Sequence, residues 1–354
     1  MYPQGFNRPK IESSFLSFVA DEFRRRGTAR RGELAQKIIS HPFVENLGMR
    51  VPQRLAVLEA LDGLADAGLP DLFVLKLANG WSSRGVMILE RQGPDRFFDH
   101  MALQNLTLDS VKDIQLEKAA SFATKAPVWI VEELIHHTLG VGAIPFDYKF
   151  YCFRGRVGLI VQIDRNTGPV KMALFDGDFR PLRRNTDYVL SETARPGMPV
   201  IPLHAAEMLW WAQRLSLEAD SPFVSIDMLD SPEGPVFGEF TYSPGGTHRK
   251  IFVFSNDMLD KLDALMDETA PEADALAASP LELRSGLAKP AGLPYRAWAG
   301  YAYGGGARGA ERLHTFYKDL AVDGGEDAPG YQWYRHLAAR WAGIRDRLRR
   351  GQLG

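Results

Sequence analysis

Residues Phe223 to Thr247 read FVSIDMLDSPEGPVFGEFTYSPGGT. The segment divides into two apolar runs, Phe223–Leu229 and Pro235–Thr241, separated by Asp-Ser-Pro-Glu-Gly. That spacing predicts an antiparallel hairpin. Asp227 lies inside the first run and Glu239 inside the second, each beside β-formers such as Ile226, Val236 and Phe240. A carboxylate in the middle of an apolar strand loses its hydration and is costly unless a cation sits against it. Two such carboxylates paired across a hairpin supply hard oxygen ligands for a divalent ion. An acidic hairpin with both carboxylates turned to solvent is the alternative, but neither residue lies at the polar tip, which favours the metal. Ser243-Pro244-Gly245-Gly246-Thr247 then follows as a loop whose glycines let backbone N–H groups approach an anion closely.

The chain of 354 residues is long enough for two or three subdomains around a sizeable core. Its 45% apolar and 24% charged content is that of a globular protein. A net charge of −2 argues against holding nucleic acid by bulk electrostatics. Cys152 is the sole cysteine, so no disulfide can form within the chain and a reducing compartment fits. No apolar run approaches the roughly 20 residues that span a bilayer, and the N-terminal MYPQGFNRPKIESS lacks a signal-peptide core. The expectation is a cytoplasmic protein with no membrane span.

Working outward from the hairpin, Phe73-Val-Leu-Lys-Leu-Ala is a predicted strand with Lys76 at its centre. It feeds Asn79-Gly80-Trp81-Ser82-Ser83-Arg84-Gly85 and a second strand from Val86 to Glu90. Strand, small-residue loop and strand have the form of a phosphate-covering hairpin. No Gly-Lys-Ser/Thr closes the loop, so it is not a P-loop. Val128-Trp-Ile-Val-Glu-Glu-Leu-Ile135 is an apolar strand whose edge can offer backbone groups to a purine, with Glu132 suited to accept from an exocyclic amine. His136 and His137 follow; neighbours on a strand point to opposite faces, so they read as solvent-facing loop histidines and not as a metal pair.

Phe146-Asp-Tyr-Lys-Phe-Tyr-Cys-Phe and Arg156–Arg165 form the next predicted hairpin, turning at Arg154-Gly155. Asp147 and Lys149 share one face, an acid suited to ribose hydroxyls beside a base suited to phosphate. Tyr148, Phe150 and Cys152 take the other face, toward the core. Arg165 ends its strand and either points into the same cleft or lies on the surface. His204–Leu217 carries an apolar helical stripe, with Trp210 and Trp211 as core and rim. Before the hairpins, residues 1–34 are short, polar and basic and read as a solvated helix end, and Lys37 falls on a helix beginning near Glu33. After them, Pro280–Pro294 reads as a linker, Gly304-Gly305-Gly306 as a hinge, and Glu311–Leu320 and Gln332–Leu348 as helices.

AQKIISHPFVENLGMRVP, FVLKLANGWSSRGV, IVEELI, FDYKFYCFRGR with IVQIDR, and FVSIDMLD with FGEFTYSPGG occur in one order over roughly Ala35 to Leu265. In that order the chain resembles the TupA-like branch of the ATP-grasp enzymes, linked to teichuronopeptide and cell-surface polysaccharide synthesis. The resemblance implies an α+β ATP-grasp fold in which two α+β subdomains sandwich ATP. Residues 35–136 would form the first subdomain and 137–270 the second, with a short N-terminal extension (1–34) and a linker with a helical C-terminal extension (271–354). It implies Lys37 and Lys76 on the phosphates, Ser82 and Ser83 in the loop that closes over them, and Glu132, Glu133, Leu134 and Ile135 as the adenine hinge. Asp147 falls at the ribose position with Lys149 beside the phosphates, and Asp227 and Glu239 at the Mg²⁺ positions. Thr241 stands where many ATP-grasp ligases carry a metal-binding Asn. Ser225 stands where relatives commonly carry an arginine, so that role passes to Arg165, Lys149 or His248. Gly245 and Gly246 are placed to hold a developing oxyanion through their N–H groups. The activity implied is an ATP- and Mg²⁺-dependent carboxylate–amine ligase joining small-molecule or glycan-linked substrates. The alternatives are an ATP-grasp phosphotransferase and a non-catalytic nucleotide-binding protein.

Overall fold

The computed structural model describes residues 4–6, 8–24, 27–66, 68–78, 80, 85–121, 126–137, 144–166, 168–202, 204–271 and 276, and in the C-terminal part 307, 310–311, 314–315, 318, 321–322 and 331–352. Two six-stranded sheets dominate it. Helices α1 (Ser14–Phe23), α2 (Ala29–Leu34) and α3 (Lys37–Asn46) precede the first sheet. That sheet holds β1 (Arg54–Leu58), β2 (Leu72–Leu77), β3 (Met87–Gly93), β4 (Arg96–Asp99), β5 (Gln104–Thr107) and β6 (Trp129–Glu133). Its order is β1-β6-β2-β3-β4-β5, antiparallel throughout. A one-turn helix α4 (Gly63–Asp66) follows β1, and α5 (Leu108–Ser121) precedes β6.

The strand period of two decides which way this sheet faces. Phe73, Leu75 and Leu77 of β2, Met87 and Leu89 of β3 and Trp129 and Val131 of β6 pack with Val111 and Ala119 of α5. Val74, Lys76, Ile88 and Glu132 therefore take the opposite face, which looks into a cleft.

The second sheet comprises β7 (Asp147–Phe153), β8 (Arg156–Asp164), β9 (Lys171–Asp176), β11 (Arg195–Pro196), β12 (Val224–Ser231) and β13 (Gly234–Thr241), ordered β11-β9-β8-β7-β12-β13. A two-stranded sheet pairs β10 (Tyr188–Leu190) with β14 (Phe252–Phe254). The remaining helices are α6 (Ala205–Glu218), α7 (Gly245–His248), α8 (Asn256–Asp267) and α9 (Tyr331–Arg349). Tyr148, Phe150 and Cys152 face a core shared with Met208, Ala212 and Leu215 of α6, as the alternation predicts. On the other face, Tyr151 and Phe153 pack with α8, while Asp147 and Lys149 stand at the cleft end of the same strand.

The N-terminal segment departs from the expectation of a solvated helix end. Phe15 of α1 is fully buried, 5.0 Å from the Phe223 ring and 5.8 Å from Phe153. Helix α1 thus covers one face of the second sheet, and the count of arginines obscures its apolar stripe of Phe15, Phe18 and Val19. In α9, Ala338, Trp341 and Ile344 are buried in the same core as Tyr148. The expected linker, the glycine triplet Gly304–Gly306 and most of the expected helix Glu311–Leu320 lie outside the described residues.

Ser243–Thr247 is not the open loop expected. Gly245–His248 is a helical turn after Pro244, with the His248 N–H donating to the Pro244 carbonyl at 3.0 Å. A Cβ on Gly246 would lie 2.4 Å from Cε1 of buried Phe252, so close packing requires glycine here. His137 is likewise not solvent-facing: it is buried against Phe146, with ring centroids 4.9 Å apart, and only His136 is exposed. No helix among the described residues is long and apolar enough to cross a membrane.

Candidate active site

The hairpin β12–β13 places Asp227 directly opposite Glu239. The two-residue turn Pro232-Glu233 sets the register from Ser231–Gly234 to Met228–Phe237, and a one-residue shift beyond Met228 brings Asp227 to Glu239 in place of Gly238. A bulge between Asp227 and Met228 lets Gly238 approach β12, where a Cβ would come to 3.2 Å from the Asp227 carbonyl oxygen. Across the other edge of β12, Asp227 faces Lys149 and Leu229 faces Asp147. Period two thus gathers Asp147, Lys149, Asp227 and Glu239 on one side of the sheet.

Each of these carboxylates has a cationic partner. Lys149 donates to Asp227 and lies 3.2 Å from Asp147, and Lys37, the first residue of α3, donates to Glu239. Arg165 donates through Nη1 and Nη2 to Asp147 Oδ2 at 3.1 and 3.2 Å. From the first sheet, Lys76 pairs with Glu132 at 2.5 Å, both side chains almost wholly buried. A buried charge is tolerable only with such partners. The second Glu132 oxygen, Oε1, has no hydrogen-bond partner and lies 4.0 Å from His41 Nδ1.

The titration directions follow from burial set against these partners. Burial pushes the Asp227 carboxyl well above its ordinary range, against the pull of Lys149. At Glu239 burial also disfavours the anion, but the Lys37 and Lys149 ammoniums outweigh it and hold the carboxyl below the usual range. Lys149 is buried too, yet Asp147 and Asp227 more than offset this and raise it. Burial lowers Lys76 in spite of Glu132. Buried His41, beside Lys76, is pushed down to about 4, so its ring is neutral at pH 7. His41 Nε2 contacts the Gly238 carbonyl at 3.0 Å, linking α3 to the strand that carries Glu239.

These groups converge on one open cleft. Lys37, Lys76, Asp227 and Glu239 are among its lining residues. Apolar side chains line the rest: Val74, Ile88 and Met101 from the first sheet, Leu134, Ile135 and Ile144 from the crossing, and Met228 and Leu229 from the second. Glu132, Glu133, Asp147 and Arg165 also reach the cleft, whereas Lys149 stands behind Asp147 and Asp227.

Of the remaining expected residues, Thr241 donates to Glu239 Oε1 at 3.5 Å and does not line the cleft, and neither do Gly245 and Gly246. Ser82 and Ser83 lie outside the described residues. Sequence reasoning named Leu134 and Ile135 but missed His41 and the wall residues Val74, Ile88, Met101, Ile144, Met228 and Leu229. Alternation along β2 carries a signal for one wall residue, since Val74 shares a face with Lys76; a single histidine before Pro42 carries none.

The residues present fit a magnesium nucleotide. Asp227 and Glu239 offer paired hard oxygens, and Lys37 and Lys76 lie close enough to serve phosphates. Among the described residues no group of three or more His, Cys, Asp or Glu is placed to hold a metal ion by itself. An ion held by these two carboxylates would complete its shell with other oxygens.

A family model described as TupA-like ATPgrasp matches residues 21–264, and no curated protein matches the chain. Among solved structures, the ATP-grasp ligase PsnB complexed with minimal precursor is 12% identical, over 72% of this chain and 68% of that one, with a TM-score of 0.37. The D-alanine–D-alanine ligase from Bacillus anthracis complexed with ATP is 15% identical over 72% and 68%, with a TM-score of 0.36. The Chryseobacterium gregarium RiPP-associated ATP-grasp ligase, in complex with ADP and a leader and core peptide, is 12% identical over 69% and 62%, with a TM-score of 0.37. Likenesses this distant decide nothing about substrate.

Proposed function

The chain belongs to the TupA-like ATP-grasp family, and from that premise we propose that it is an ATP- and Mg²⁺-dependent carboxylate–amine ligase. The observation that carries this reading is the pairing of Asp227 with Glu239 on the cleft face, beside Lys37 and Lys149. Asp227 and Glu239 would hold the ion, which when bound neutralises charge developing on the transferred phosphate.

This chain's own residues divide the remaining work. Lys37 and Lys76 exchange their carboxylate partners for nucleotide phosphates as point charges. The apolar walls exclude water around the base, and Glu132 Oε1, the acceptor left open, takes a hydrogen bond from the exocyclic amine. Asp147 orients the ribose. The carboxylate of the acid substrate attacks the γ-phosphorus and releases ADP. The amine then attacks the acyl carbon, phosphate leaves and the amine loses a proton. Arg165, on the cleft wall, is the cation placed to steady the substrate carboxylate. The acid and amine are small-molecule or glycan-linked, and the setting is cell-surface polysaccharide or natural-product assembly, a reading that rests on the family alone.

A phosphotransferase is the second reading, favoured by one observation. Ser225 is fully buried and donates to Asp227 Oδ1 at 3.3 Å, so no arginine reaches the cleft from that position. Product analysis separates the two. The ligase gives ADP, phosphate and an amide only when acid and amine are both present; a phosphorylated acceptor with no free phosphate would establish the phosphotransferase instead.

A further inference from the structure

Glu133 reaches the cleft at the end of its strand, and its carboxylate is held by Arg50. Arg50 Nη2 donates to both Glu133 oxygens, at 3.1 and 3.2 Å. Its Nη1 donates to Ser231 Oγ and to Glu233 Oε2, each at 3.1 Å, at the tip of the β12–β13 hairpin. One guanidinium nitrogen thus serves each sheet. Backbone bonds in the same short segment repeat the connection: Phe237 N–H of β13 donates to the Arg50 carbonyl, and Glu133 N–H of β6 donates to the Gln53 carbonyl. Gln53 N–H also donates to Glu133 Oε1 at 2.9 Å.

What this segment spans matters more than the bonds themselves. Leu134 and Ile135, immediately after Glu133, form one apolar wall of the cleft, while Met228 and Leu229, on the strand ending in Ser231, form another. Arg50 does not line the cleft. We propose that Arg50 is a positioning residue that sets the separation of these walls, and so the fit of the nucleotide base, by bridging Glu133 and the tip of the metal hairpin. The inference rests on the nucleotide reading above. A lysine cannot replace it, because a single ammonium cannot reach both sheets in the geometry of a planar fork.

The test measures ATP affinity by calorimetry, and steady-state kcat and KM, for the wild type, Arg50→Ala, Arg50→Lys, Glu133→Gln and Arg50→Ala/Glu133→Gln. Expected is a roughly tenfold weaker ATP affinity and a matching rise in KM for Arg50→Ala, with kcat within about threefold of wild type. Arg50→Lys should not rescue binding, and the double variant should bind no more weakly than Arg50→Ala alone. Glu233→Gln, which keeps the Glu133 arm, guards against misfolding and should weaken binding by less than threefold. ATP affinity within twofold of wild type for Arg50→Ala, full rescue by lysine, or additive losses in the double variant would each overturn the proposal. If the wild type itself binds no ATP, the nucleotide reading fails, and the role given to Arg50 fails with it.

Discussion

Lys76 and Glu132 form an ion pair across neighbouring strands of the first sheet, with side chains only 10% and 4% exposed. Glu132 is desolvated on its strand, so the pair's worth is mostly the cost of leaving either partner alone. Lys76→Met should lower folding stability by about 3–5 kcal/mol and abolish ATP binding. Lys76→Met combined with Glu132→Leu should recover most of that stability while ATP binding stays lost. Urea denaturation with calorimetry checks both, and a double variant no more stable than Lys76→Met would show that the pair does not stand alone.

His41 ties pH to stability. Its folded value, about 4, lies below the unfolded 6.5, so between those values the unfolded chain binds the extra proton. Stability should therefore fall as pH drops from about 6.5 to 4, by at most about 3 kcal/mol for this group. Asp227, raised by burial, acts in the opposite sense over part of the same range, so the signal is the difference between proteins. His41→Gln should flatten the acid-side loss relative to wild type; identical pH–stability curves would remove the assignment.

Gly246 separates packing from catalysis. Because a Cβ would press on the Phe252 ring, Gly246→Ala should cost about 1–3 kcal/mol and lower the melting temperature. The accompanying expectation is that turnover per folded molecule stays near wild type, since Gly246 does not line the cleft. Lost turnover in a fully folded variant would restore the oxyanion role.

Local rules made much of this arrangement readable in the sequence. The hairpin itself is legible, and the strand period puts Asp147 with Lys149 and sends Tyr148, Phe150 and Cys152 to the core, but Asp227 stands opposite Glu239 only because of the bulge after Asp227, which the spacing does not announce. What local rules cannot supply is the partner. Lys37 meets Glu239 across 202 residues of chain and Lys149 meets Asp227 across 78, and neither pairing leaves a trace in spacing. His137 escaped for a related reason: its burial depends on Phe146, brought in from the next strand. The misread N-terminus is different, because the Phe15–Val19 stripe was legible and the neighbouring arginines outweighed it. Arg50 and His41 sit inside a recognised motif, but what they do depends on strands that arrive from elsewhere in the chain.

In the proposed function, Asp227 and Glu239 together hold the ion that accompanies ATP into this cleft. Calorimetric titration of ATP with and without Mg²⁺, on the wild type and on Asp227→Asn/Glu239→Gln, tests it most directly. Expected are Mg²⁺-dependent ATP binding and ADP release by the wild type, and a folded double variant that has lost both. A double variant that retains Mg²⁺-dependent binding, or ADP release within tenfold of wild type, would contradict it.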